Sequence, residues 1–150
     1  MKNENTDFSS LRLEKQLCFP LYAASKEIIR RYKPYLDEID LTYTQYIVMM
    51  VLWDRKQANV KELGEALYLD SGTLTPVLKK LEAKGYLTRH RSSEDERSLI
   101  VSVTDAGLNL QKNAIHVPEE MRACMRLTPE ETATLYGLLY KLLGNVSEQE

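Results

Sequence analysis

The sequence predicts a mainly helical fold carrying one small β hairpin. Three observations carry that expectation. Apolar residues recur at three- and four-residue steps over several stretches; two short apolar runs flank a polar turn at Ser92-Ser93-Glu94-Asp95-Glu96-Arg97; and Ser, Thr, Asn and Asp stand where helices should begin. A chain of 150 residues suits one domain, and 43% hydrophobic with 28% charged residues is the composition of a folded protein rather than a disordered one. The apolar run Ile47 to Trp53 is well short of the roughly 20 residues a bilayer requires, and Met1-Lys2-Asn3-Glu4-Asn5 opens no signal-peptide apolar region. The expected location is the cytoplasm, with no membrane partner.

Residues 1 to about 10 are polar and are expected to fray. From Leu11 to Leu36, Leu13, Leu17, Leu21, Ala24, Ile28 and Tyr32 mark one face of an amphipathic helix, which Pro20 should bend and Pro34 should bend or break before Asp37. Thr42 or Thr44 can cap a second helix, whose Tyr46 to Trp53 segment is apolar nearly all round and therefore expected at the core. Asn59 caps a short helix from Val60 to Leu67. Asp70 leads into the next, where Leu74, Val77, Leu78 and Leu81 form the buried stripe and Gly85 the left-handed end. Pro76 would suit the first turns of that helix if it starts at Thr73 or later. Tyr86 to His90 and Leu99 to Val103 read as the two strands of the hairpin. Thr104-Asp105 starts a helix towards Pro118, and Thr128-Pro129-Glu130-Glu131 starts the last one, through about Val146. Two helices followed by a hairpin make a winged helix-turn-helix.

The net charge of -2 conceals a local excess. Between Ser71 and Arg91, Lys79, Lys80, Lys84, Arg89 and Arg91 stand against Glu82 alone, giving +4 and leaving -6 elsewhere. A basic face on an acidic body suits a polyanion, although a solvated helix face beside a basic strand end has the same pattern. Ser71, Thr73, Thr75 and Pro76, with Lys79 and Lys80 one to two turns later, face away from the apolar stripe. Small hydroxyls suit base edges there and lysines suit phosphates. Cys18 and Cys124 are too few for a disulfide framework, and with His90 and His116 they lack zinc-site spacing, so neither metal nor other cofactor is expected. In a reducing compartment such cysteines are inert packing or redox chemistry.

Leu17-Cys18-Phe19 with Tyr22-Ala23-Ala24-Ser25, Leu41-Thr42-Tyr43-Thr44-Gln45-Tyr46, Leu69-Asp70-Ser71-Gly72-Thr73-Leu74-Thr75-Pro76 and Asp95-Glu96-Arg97-Ser98 together resemble the MarR family of transcriptional regulators, in its organic hydroperoxide resistance branch. The resemblance covers nearly the whole chain; Pro20 departs from it. It implies a homodimer, with helices at about 11–36 and 105–147 dimerising and a winged helix-turn-helix at about 44–104, that represses by binding pseudo-palindromic double-stranded operator DNA. The helix Ser71 to Lys84 would enter the major groove, and Arg91 would be a further DNA-binding residue. Arg97 would reach the minor groove, its guanidinium oriented by Asp95, since a narrow minor groove attracts arginine.

The same resemblance makes Cys18 a sensor for organic hydroperoxides. A cysteine with an ordinary pKa of about 8.5 is mostly protonated at neutral pH, so something must stabilise its thiolate. Tyr32 and Tyr43 match the two family tyrosines that do so from the other subunit. Cys124 would place the chain in the two-cysteine subclass, forming an intersubunit disulfide with Cys18; single-cysteine members use a low-molecular-weight thiol. From the residues alone, Cys18 could equally be an ordinary buried thiol and Cys124 a spectator. Two other functions stay open: a regulator of the same family released by a small aromatic ligand, and a thiol peroxidase in which Cys18 turns over.

Overall fold

The computed structural model describes residues 7–147, which divide after Ile115 into two compact units, 7–115 and 116–147. The first six residues lie outside the described residues, and with them the expected lack of a signal-peptide apolar region at Met1 to Asn5 and most of the segment expected to fray.

In the first unit the helix expected from Leu11 starts later. Ser9–Leu11 and Leu13–Lys15 are exposed single turns of 3-10 helix, and α1 runs Cys18–Asp37. Pro20 explains the difference. It has no N–H to bond to the carbonyl of Gln16, so the helix begins around it with Cys18, Phe19 and Pro20 as its first turn, and no bend is imposed. Pro34 does not end the helix either; α1 continues through it to Asp37.

Helix α2, Tyr43–Arg55, is fixed at its start by a reciprocal pair. The Thr42 hydroxyl accepts from the Gln45 backbone N–H at 3.3 Å, and the Gln45 side chain accepts from the Thr42 N–H at 3.0 Å. Tyr46, Val48, Met49, Leu52 and Trp53 are buried, but Met50 is 44% exposed, so the helix is not covered on every side as its composition suggested. It packs against α1 and against most of the elements that follow.

A three-residue strand that the sequence reading missed, β1 Gln57–Asn59, comes next. Asn59 and Glu62 then box the start of α3, Val60–Leu67, each bond at 2.8 Å. Tyr68 turns left-handed at φ 54°, and α4 follows at Ser71–Ala83, capped by the Asp70 carboxylate on the Thr73 N–H at 2.8 Å. Pro76 is therefore in the helix interior, two positions beyond the first turn expected for it. Leu74, Leu78 and Leu81 are buried as their spacing predicts, and Gly85 takes φ 79° just beyond the end.

Strands β2, Leu87–Arg91, and β3, Leu99–Val103, pair antiparallel with Leu87 opposite Val103 and Arg91 opposite Leu99. β1 lies on the other edge of β3, with Ala58 opposite Val101, giving the order β1-β3-β2. α5, Asp105–Ala114, is capped by the Thr104 hydroxyl on the Gly107 N–H at 3.1 Å. It stops short of its expected end because Pro118 supplies no N–H for the carbonyl of Ala114.

The second unit contains α6, Val117–Met125, with Pro118 in its first turn, and α7, Pro129–Ser147. Thr128 and Glu131 form the anticipated box at the start of α7, at 3.2 and 2.9 Å. No residue of α7 is buried, although Leu135, Leu138, Leu142 and Val146 are large and apolar. Among the described residues no helix is long and apolar enough to cross a membrane.

Candidate functional site

Helix α4 and the hairpin make one exposed surface. Ser71, Thr73, Thr75, Pro76, Lys79 and Lys80 are all exposed, as are Arg91, Asp95 and Arg97 on the wing. Two hydroxyls on this face are already committed as donors: Thr73 to the Asp70 carboxylate at 3.0 Å and Thr75 to the Ser71 carbonyl at 2.7 Å. They offer an approaching base their lone pairs, not their protons. Asp70 is held below the usual carboxylate range mainly by the Thr73 backbone N–H, so the cap remains ionised at the positive end of α4.

The basic excess is smaller than the residue count suggests. Arg89 grips the Glu82 carboxylate through Nε at 3.1 Å and a terminal nitrogen at 2.7 Å, and that grip lowers the Glu82 pKa. Lys84 pairs with Asp40 at 3.0 Å. Lys79, Lys80, Arg91 and Arg97 remain as cations with no ion pair among the described residues.

The wing turn is closed by backbone and side chain together. The Ser92 N–H donates to the Ser98 carbonyl at 2.8 Å, the Ser98 N–H to the Asp95 carbonyl at 2.9 Å, and Arg91 to the Glu96 carbonyl at 3.1 Å. Asp95 does not hold the Arg97 guanidinium as expected; its carboxylate accepts from the Arg97 backbone N–H at 3.0 Å. A two-residue separation favours this short return to the main chain, and it leaves the guanidinium free to project. A cleft of about 270 Å³ between α3, α4 and the wing is lined by Thr75, Arg89 and Arg97 and also by Lys61, which the sequence reading did not select.

The second constellation is aromatic. The rings of Tyr32 on α1 and Tyr43 at the start of α2 stand 4.9 Å apart, although eleven positions separate them. Burial pushes the Tyr32 phenol up to about 12, with Tyr43 and Tyr46 adding to the effect, and burial also raises Tyr43. Both therefore remain neutral hydrogen-bond donors throughout the physiological range. Tyr46 joins them at 5.9 Å from Tyr32 and 6.5 Å from Tyr43. In the sequence Tyr46 is core by composition, and its position one helical turn after Tyr43 is the signal that ties it to this cluster.

Cys18 and Cys124 are free and exposed. Cys18 is the first residue of α1, at the positive end of a 20-residue helix, where anionic groups are favoured. Cys124 lies in the last turn of α6.

The comparisons with known proteins agree with this geometry. A family model described as transcriptional regulator SarA/Rot matches residues 30–114. The chain is 44% identical over 142 residues to the organic hydroperoxide resistance transcriptional regulator of Bacillus subtilis strain 168, covering 95% of this chain and 97% of that one. The chain belongs to the MarR/SarA family of winged-helix transcriptional regulators, in its organic hydroperoxide resistance branch. AbfR of Staphylococcus epidermidis, in its reduced form bound to DNA, is 35% identical with a TM-score of 0.75, covering 91% of this chain and 96% of that one; a disulfide-formed AbfR superposes less closely, at 0.63, over 89% and 94%. A MarR variant from E. coli complexed with operator DNA is 26% identical with a TM-score of 0.79, over 92% of this chain and 99% of that one. Members of this family are DNA-binding regulators rather than enzymes, and the thiol peroxidase reading is set aside.

Proposed function

We propose that this regulator is a thiol-based redox-sensing repressor, a homodimer that holds operator DNA when reduced and releases it when organic hydroperoxides oxidise Cys18. The observation that carries the reading is the Tyr32–Tyr43 pair, two neutral phenols brought within 4.9 Å of each other. In the dimer they would donate to the Cys18 thiolate of the partner subunit. Exposed apolar residues on α7 and, independently, Leu17, Phe19 and Tyr22 around the start of α1 support pairing with a second copy.

In the oxidation step the thiolate sulfur attacks the terminal peroxide oxygen. An S–O bond forms, the O–O bond breaks, and the departing alkoxide takes up a proton to leave as alcohol. Sulfur loses two electrons and the hydroperoxide gains them. The sulfenic acid then condenses with a second thiol, forming S–S and releasing water. That thiol is Cys124 of the partner subunit in the two-cysteine reading, or a low-molecular-weight thiol otherwise.

On the DNA side, α4 would present Ser71, Thr73, Thr75 and Pro76 to base edges, with Lys79, Lys80 and Arg91 on phosphates and Arg97, on the turn held by Asp95, in the minor groove. Dimer symmetry would set two such surfaces about one helical turn of DNA apart.

The test is a gel shift with and without cumene hydroperoxide, followed by non-reducing electrophoresis of the wild type, Cys18→Ser and Cys124→Ser. Peroxide should release the wild type but not Cys18→Ser, and a peroxide-dependent dimer band should vanish in both mutants. Release of Cys18→Ser by peroxide would overturn the sensor assignment; a dimer band that survives in Cys124→Ser would leave the second thiol elsewhere.

A further inference from the structure

Tyr46 is only 3% exposed, whereas the neighbouring Tyr32 and Tyr43 are half-buried. Its ring backs both of them, at 5.9 and 6.5 Å. It also meets Trp53 edge-on at 6.1 Å and 70°. Trp53 is anchored in turn, its buried indole N–H donating to the Gly107 carbonyl at 2.8 Å. The phenols of the candidate sensor thus rest on an aromatic wedge fixed to the interior.

We infer that Tyr46 is a positioning residue for the thiol sensor: its ring locks Tyr32 and Tyr43 in the arrangement that lets both hydroxyls reach one sulfur. The inference rests on the sensor role of Cys18, Tyr32 and Tyr43 proposed above. Two donors converging on a single atom must be held in direction as well as distance, because a hydrogen bond weakens steeply once its angle falls away from linearity. Tyr32 and Tyr43 come from different helices, so helix geometry alone does not fix their mutual orientation. A rigid ring packed against both does, and it has few torsions of its own to lose. The contacts that tie Tyr46 to Tyr32, Tyr43 and Trp53 are made by its ring, so the ring carries the role.

The experiment measures the rate constants for alkylation of Cys18 by iodoacetamide and for its oxidation by cumene hydroperoxide in the full-length Cys124→Ser background. Operator affinity of the reduced protein is measured beside them. Tyr46→Leu should slow both thiol reactions by about tenfold, the scale on which small misplacements act, while reduced-state operator affinity stays within about twofold. Tyr46→Phe should restore wild-type rates. A merely structural role would lower the melting temperature without altering the reactivity of the folded fraction.

Tyr43→Phe separates the inference from the reading beneath it. If Tyr43→Phe leaves the rates unchanged, the phenol-donor reading fails. If Tyr43→Phe slows them and Tyr46→Leu does not, the positioning role of Tyr46 is overturned. Equal slowing in Tyr46→Phe and Tyr46→Leu would assign the effect to the hydroxyl and also overturn it. Should Tyr46→Leu not fold, Tyr46→Met, whose unbranched and flexible side chain adapts to an irregular gap but has no planar edge, is read by the same criteria.

Discussion

The indole N–H of Trp53 donates to the carbonyl oxygen of Gly107 at 2.8 Å, joining α2 to the first turn of α5 across 54 positions of sequence. Gly107 is there for a reason that concerns the wing. A Cβ at this position would stand 2.1 Å from the Tyr86 carbonyl oxygen and 2.8 Å from a Val103 methyl. The backbone of α5 therefore lies directly on the base of the hairpin, where the Thr104 N–H and hydroxyl also bond to the carbonyls of Tyr86 and Gly85 at 3.1 and 2.6 Å. Helix α2, helix α5 and the wing base are locked at one point.

Two substitutions probe that lock. Gly107→Ala should cost about 1 to 3 kcal/mol or more, because the carbonyl it meets is main chain and cannot swing aside. Trp53→Phe keeps much of the ring but strands a buried carbonyl, which costs about 1 to 3 kcal/mol. Urea denaturation should show a lower midpoint at unchanged slope for both. A midpoint for Gly107→Ala equal to wild type would show that α5 can move off the wing base.

What the sequence discloses divides by range. The starts at Thr42, Asn59, Thr104 and Thr128 are legible because a cap and its partner lie three residues apart. β1 is illegible because three residues have no strand pattern and exist only through pairing with β3. The apolar spacing of Leu13, Leu17 and Leu21 imitates a helix that, with Pro20 in its first turn, begins only at Cys18. The basic face is overcounted for a related reason: Lys84 is neutralised by Asp40, 44 positions away, and Arg89 by Glu82, seven away. Tyr46 shows the limit most clearly, since a residue that is core by composition becomes part of a site only through rings brought from another helix.

Ion-pair geometry predicts unequal contributions to DNA affinity. Lys79→Ala and Lys80→Ala should each flatten the plot of log affinity against log salt by about 0.9 if each cation contacts one phosphate. Lys84→Ala should change the slope less, because its ammonium is held by Asp40. Operator titrations from dilute to physiological salt give the slopes directly. Equal effects at all three positions would mean that the Lys84–Asp40 pair opens on DNA.

The tyrosine cluster predicts alkaline sensitivity. Burial raises the folded-state pKa of Tyr32 to about 12 and raises those of Tyr43 and Tyr46, above the usual value near 10. A group raised on folding contributes stability that is fully present below its unfolded pKa and lost as pH climbs through the folded one. Stability should therefore be flat below about pH 9 on this account and fall between about pH 10 and 12. Tyr32→Phe should soften that fall. Tyrosinate absorbance followed together with circular dichroism checks it, and ionisation of all nine tyrosines near pH 10 in the folded protein would contradict it.

Arg97 gives the sharpest test on the DNA side. Its backbone N–H is tied to Asp95 at 3.0 Å, and its guanidinium has no ion pair among the described residues, so its charge is available at the wing tip. Arg97→Ala should weaken operator binding by about 1 to 3 kcal/mol and relax the preference for A·T pairs beneath the wing, where a narrow groove concentrates negative potential. Arg97→Lys should recover the salt dependence but only part of the sequence preference, because an ammonium is larger in its hydration and lacks the planar fork. Asp95→Ala removes no cation and only loosens the turn, so its loss should be smaller than that of Arg97→Ala. If Asp95→Ala costs as much as Arg97→Ala, the wing acts through its shape, and the guanidinium is not the group that reads the groove.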